Sequence, residues 1–182
     1  LDLENAFSGG ITVAADFLGQ TGLVEGSGDV DPFVHISYVI DISGSTDADC
    51  DGDRTILQCE TDAILTLDSL LVGAGVTVDV SLTSFASDFF PADLDPATAG
   101  VQILAPPGDP AVFDALSGLV SAGGTAYQNA TRAAIDAITL SVKNPAVTQT
   151  FLVFLSDGSE NNPGDLRPEV AALNALGTTV YT

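Results

Sequence analysis

The sequence predicts an α/β fold: a Rossmann-like, doubly wound, mostly parallel central sheet flanked by helices. Three observations lead there. Apolar runs at 36–42 and 148–155 are continuous, as expected of strands buried on both faces, and 76–85 alternates with β-branched residues. Segments of helical periodicity stand between these strands. Strands alternating with helices imply a parallel-rich sheet covered on both sides.

Taken in order, residues 1–34 are rich in Gly and Asp, with one strand-like patch at 10–17, and read as an N-terminal extension or linker. The strand 36–42 opens the main domain, 35–182. An acidic loop is inserted at 46–60. In 55–72, Ile56, Leu57, Ile64, Leu65, Leu67, Leu70 and Leu71 form a helical stripe that ends at Gly73. After the strand 76–85, a Pro-, Asp- and Ala-rich stretch is expected to hold a short edge strand at 101–104, followed by a helix at 111–120. Gly123-Gly124 makes a turn into a helix at 126–142. The strand 148–155, a helix at 168–176 ended by Gly177 and a strand at 178–181 complete the pattern.

Composition bounds the partners. The chain has 182 residues, 46% of them hydrophobic, enough for one domain with a full core. Asp and Glu number 25 against 4 Lys and Arg, a formal net charge of −21. Nucleic acid and anionic membrane both require basic surface, so neither is an expected partner. No apolar run is long enough to span a bilayer. The acidity favours divalent cations and a salty or calcium-containing setting, although a surface that simply resists aggregation accounts for it equally well.

The chemistry concentrates at Asp41-Ile42-Ser43-Gly44-Ser45, where the strand 36–42 stops at Gly and Ser. Open α/β sheets bind ligands beyond the carboxyl ends of their strands. One carboxylate and two hydroxyls at alternating positions suit Mg²⁺, Mn²⁺ or Ca²⁺ rather than zinc or copper. Two further element edges supply oxygen. Thr125 follows Gly123-Gly124 at a helix start, and Asp157 follows the apolar strand in Ser156-Asp157-Gly158. Helix capping by the serines and an Asx turn at Asp157 are the purely structural alternatives.

These motifs, in this order and at these element boundaries, resemble the von Willebrand factor type A domain with its metal-ion-dependent adhesion site, as found in bacterial surface and adhesin proteins. The resemblance covers 34–182. It implies that Ser43 and Ser45 coordinate a cation directly, that Thr125 does so directly or through water, and that Asp41 and Asp157 act mainly through bridging water. An ion so held stays electrophilic and seeks a carboxylate from outside. The chain departs from the family in its inserted acidic loop and in stopping near the fifth strand, where the family runs to six strands and a final helix. The C-terminal elements are therefore read as truncated, and the chain as a fragment of something longer.

In the inserted loop, Asp47, Asp49, Asp51 and Asp53 alternate, with Gly52 at the sixth position. That matches the first half of an EF-hand-like Ca²⁺ loop. Position twelve is Gln58, not Glu, and Glu60 or Asp62 is the candidate to close the shell. A solvated acidic loop is the alternative. Cys50 and Cys59 would pair in a secreted protein and tie this loop to the following helix, free thiols being the other reading.

The reading is of an extracellular or cell-surface binding module, not an enzyme. Its partner is a protein offering Asp or Glu, ahead of a glycan. A self-assembling structural subunit of a surface filament, layer or matrix, stabilised by calcium, is the alternative. A metal-dependent hydrolase is disfavoured, since no His stands near the motifs and no Lys or Arg lies in the metal loops. His35 reads as a strand-edge residue, and Tyr127 as packing close to the rim.

Overall fold

The computed structural model describes residues 33–73, 77–158 and 164–182. The strand-like patch at 10–17 lies outside them. Strand β1 runs Phe33–Asp41 and β2 runs Thr77–Phe85. A short β3, Phe89–Pro91, β4, Val147–Leu155, and β5, Thr179–Tyr181, follow. They form one sheet in the order β3-β2-β1-β4-β5. β1 pairs parallel with both β2 and β4, β5 is parallel to β4, and only β3 is antiparallel. The fold is thus the Rossmann-like α/β arrangement that the sequence predicts.

Among the described residues four helices cover the sheet: α1, Ile56–Val72; α2, Pro110–Ser117; α3, Tyr127–Ser141; and α4, Arg167–Ala175. The alternation of β1 decides what each face meets. Val34, Ile36, Tyr38 and Ile40 pack with Leu57, Ile64, Leu67 and Leu71 of α1 and with Val112 and Leu116 of α2. Val39 packs on the other face with Ala130, Ala134 and Ile138 of α3 and Leu173 of α4. The small alanines of α3 allow that helix to approach the sheet closely. No helix among the described residues is long and apolar enough to cross a membrane.

Two expectations change. The stretch 101–104 is not a strand. Only Ala105 touches the sheet, in an isolated bridge to Val80 with N···O distances of 2.7 and 3.0 Å. Pro106 and Pro107 follow at once, and without N–H groups they cannot extend the ladder. The edge is instead β3, entered through a tight turn from β2 in which Phe85 pairs with Phe89. His35 is not at a sheet edge either. It lies fully buried in the central strand, with Nδ1 2.6 Å from Asp79 Oδ1.

Candidate metal centre

The strand order reverses at β1, because the chain passes from β1 to β2 on one side and later places β4 on the other. Such a reversal opens a crevice at the carboxyl ends of the strands. Asp41 ends β1 there, and the register puts Ile40 beside Leu155 and Asp41 beside Phe85. The residues after β1 and β4 therefore emerge side by side.

Main-chain bonds bring in the third loop. Ile42 N–H donates to Phe85 O at 2.7 Å, and Ala122 N–H to Ile42 O at 2.7 Å. Gly44 N–H donates to Gly123 O at 3.0 Å. Gly123 needs its glycine, with φ +82°, and a Cβ at Gly44 would meet Gly123 O at 3.4 Å. Ser87 Oγ, from the β2–β3 turn, accepts Gly124 N–H at 2.9 Å. Thr125, buried, follows immediately at the entrance to α3.

The side chains then form a directed chain of hydrogen bonds. Ser45 Oγ donates to Asp157 Oδ1 at 3.0 Å. Its one proton being used, Ser43 Oγ is the donor in the 3.0 Å contact between the two serines. Asp41, fully buried, accepts Ser43 N–H on Oδ1 at 2.7 Å and Ser156 Oγ–H on Oδ2 at 2.6 Å. Burial pushes the Asp41 carboxyl up, the bonds from Ser156 and Ser43 oppose that, and the charge of Asp157 adds to it. Asp41, Ser43, Ser45 and Asp157 are thus in one place, joined through the main chain to the loop that carries Thr125.

The arrangement fits a hard divalent cation. A hydroxyl that lends a lone pair to a metal needs an acceptor for its proton, and the Ser43–Ser45–Asp157 chain supplies one. Among the described residues no group of three or more His, Cys, Asp or Glu side chains is arranged to hold a metal by itself. A cation at the strand ends would rest mainly on hydroxyl oxygens, with the carboxylates behind them.

Two residues contribute more than their place in the sequence suggests. Ser156 is a direct partner of Asp41. Its position straight after the apolar strand, beside Asp157, was the available signal. Tyr127 does more than pack. Its ring meets Phe85 and Phe154 edge-on, with centroids 5.9 and 5.4 Å away. Its hydroxyl donates to Gly158 O and stands 2.9 Å from Ser156 Oγ, tying α3 to the turn that carries Asp157.

The acidic loop is organised differently from an open Ca²⁺ cradle. A 3-10 turn, Gly44–Asp47, leads into it, and Asp47, Asp49, Asp51 and Asp53 are all exposed. Asp49 Oδ1 accepts Gly52 N–H. Asp51 is engaged by Arg54, whose Nε lies 2.9 Å from Oδ2, and this bonding holds the Asp51 carboxyl below its ordinary range. Arg54 also reaches Asp62 at 2.7 Å. Cys50 and Cys59 form a disulfide. Thr55 caps α1 in a reciprocal box with Gln58, with N···O distances of 2.9 and 3.2 Å.

Glu60 stands apart from that loop. Its Oε2 is buried and has no hydrogen-bond partner. Its carboxyl is pushed up to about 8, first by burial and then by the charges of Asp41 and Asp157. Asn161 and Asn162, whose position after Asp157 suggests a part in shaping the loop near the metal, lie outside the described residues.

No protein-family model matches the sequence, and neither does any curated protein sequence. Solved structures do match in fold. A von Willebrand factor type A protein from Catenulispora acidiphila superposes with a TM-score of 0.61 at 17% identity, over 82% of this chain and 32% of that one. The BatB protein of Bacteroides thetaiotaomicron gives 0.58 at 22% identity, over 81% and 64%. A D319A mutant of the PilB minor pilin from Streptococcus sanguinis gives 0.56 at 17% identity, over 79% and 36%. The chain spans about a third of the length of the Catenulispora and PilB structures.

Proposed function

We propose that this chain is a metal-dependent adhesion module of the von Willebrand factor type A kind, working outside the cell or at its surface. Ser43, Ser45 and Thr125 would hold Mg²⁺, Ca²⁺ or Mn²⁺ through their hydroxyls, and Asp41 and Asp157 would support the ion from behind. With few anionic groups in direct contact, the ion keeps its attraction for a carboxylate from a partner protein. The observation that carries this reading is the proton-ordered chain Ser43–Ser45–Asp157 beside a buried Asp41 already bonded to Ser43 and Ser156. The fold likeness to a type A domain and to a minor pilin fits a surface setting.

The chemistry is coordination and not bond breaking. The single histidine lies at the far end of β1, packed against Asp79. Arg54, the cation nearest in sequence to the serine motif, is committed to Asp51 and Asp62.

The test is titration of metal-stripped protein with Mg²⁺ and Ca²⁺ by calorimetry, for the unaltered chain and for Asp41→Ala. The unaltered chain should bind one ion at the strand ends, and Asp41→Ala should lose at least ~10-fold in affinity, as expected when a group orienting metal ligands is removed. Equal binding by the variant rejects the mechanism.

A further inference from the structure

We infer that Glu60, on α1, is an additional anionic member of the strand-end cation site, a carboxylate that retains the ion there before any partner arrives. The inference rests on the adhesion-site reading and deepens it.

Glu60 is the first candidate because one of its oxygens is buried with no donor to meet it. A buried carboxylate oxygen with no donor is among the most costly arrangements a fold can keep. Oε2 of Glu60 is in that position. The charges that act on it are Asp41 and Asp157, both of its own sign and both belonging to the serine site. No arginine relieves it. Arg54 is held by Asp51 and Asp62, Arg132 by Glu169, and Arg167 by Asp165. The remaining base, Lys143, lies just beyond the far end of α3, a helix whose first residue, Tyr127, is at the site. Fifteen residues of helix separate those ends, roughly 22 Å.

The placement is also fixed. Cys59, next to Glu60, is buried and bonded to Cys50, which follows the serine motif by five residues. The capping box at Thr55 and Gln58 holds the same end of the helix. The start of α1 is thus fixed to the loop that follows the serines, by the disulfide and by Ile56 N–H donating to Ala48 O at 2.9 Å. Because Asp41, Glu60 and Asp157 are not arranged as a three-carboxylate cage, Glu60 contributes mainly charge. A divalent ion facing three carboxylates is held more firmly than one facing two, and that charge is needed most when no partner carboxylate is present.

The experiment is calorimetric titration of Ca²⁺ into metal-stripped protein for the unaltered chain, Glu60→Gln, Glu60→Asp and Asp41→Ala, with circular dichroism to confirm folding. Glu60→Gln is expected to weaken Ca²⁺ binding ~10-fold or more, and Glu60→Asp, which keeps the charge, to retain most of it. If the glutamine variant does not fold, Glu60→Met, similar in size and uncharged, reads the same loss. Affinity unchanged or raised in the uncharged variants, while Asp41→Ala binds poorly, overturns the role of Glu60 and leaves the adhesion site standing. No effect of any variant, or no binding by the unaltered chain, overturns both.

Discussion

Single residues in this protein divide into those at the carboxyl ends of the strands and those at the opposite ends. His35, Asp79, Ser81, Ser37 and Ser141 form the second group. His35 Nδ1 meets Asp79, Ser141 Oγ donates to the same carboxylate at 3.1 Å, and Ser81 Oγ lies 3.4 Å from His35 Nε2. A hydroxyl, an imidazole and a carboxylate in line invite a hydrolytic reading. Ser81, however, gives its proton to Ser37 Oγ at 3.0 Å, and Ser81 and His35 are both out of contact with solvent. The cluster is a satisfied polar seam between β1, β2 and α3. Replacing Asp79 by Ala would strand the donors of His35 and Ser141, and should cost about 2–3 kcal/mol in urea unfolding. Cation affinity should not change, because Asp41 lies six strand residues from His35, about 20 Å.

At the scale of elements, α1 depends on its first turn. The Cys50–Cys59 bridge closes a loop of about ten residues, and its removal in a double Cys→Ala variant should cost about 2–3 kcal/mol by the chain-entropy argument. The cost reads out as a lower urea midpoint in metal-free protein, matched by reduction of the unaltered chain. Local pattern made much of this level legible. The leucine stripe gave α1 within a residue of its observed start, and the apolar runs gave β2 and β4 nearly end to end but began β1 three residues late. The edge did not follow from pattern. Val101 and its neighbours look like a strand, but the part of β2 they would pair with is already taken by β3 and Ala92, while the three residues of β3 are too short to signal themselves. At the site, Asp41, Ser43, Ser45, Thr125 and Asp157 could be named because each stands at an element boundary. The surroundings of Glu60 could not, because the burial of a helix side chain's oxygen without a partner leaves no trace in local spacing.

For the molecule as a whole, electrostatics sets the terms. The formal net charge is −21, and three buried or half-buried carboxyls, Glu60, Asp41 and Asp68, are pushed up chiefly by burial. For Glu60 the folded value of about 8 stands above the ordinary 4.5. Below the lower value both folded and unfolded chains are protonated there and no penalty exists. As pH rises between the two, the unfolded chain ionises freely and the folded chain does not, so stability falls, and above the upper value the whole penalty is felt. In EDTA, the free energy of urea unfolding should therefore rise as pH drops from about 8 to about 5, by on the order of a few kcal/mol. Glu60→Gln should flatten most of that slope. A profile as steep in the variant as in the parent would assign the effect to the other carboxyls. Millimolar Ca²⁺ should flatten it as well, by supplying the missing positive charge.

The Gly44 to Gly123 bond gives the assembly a division of labour. Two glycines meet through main-chain atoms there, and Thr46 Oγ1, 2.8 Å from Ser121 Oγ, ties the same two loops a second time, so the spacing between the serine loop and the threonine loop is set beneath the surface. Substitutions at the exposed rim can then accumulate while the register of the loops beneath stays fixed.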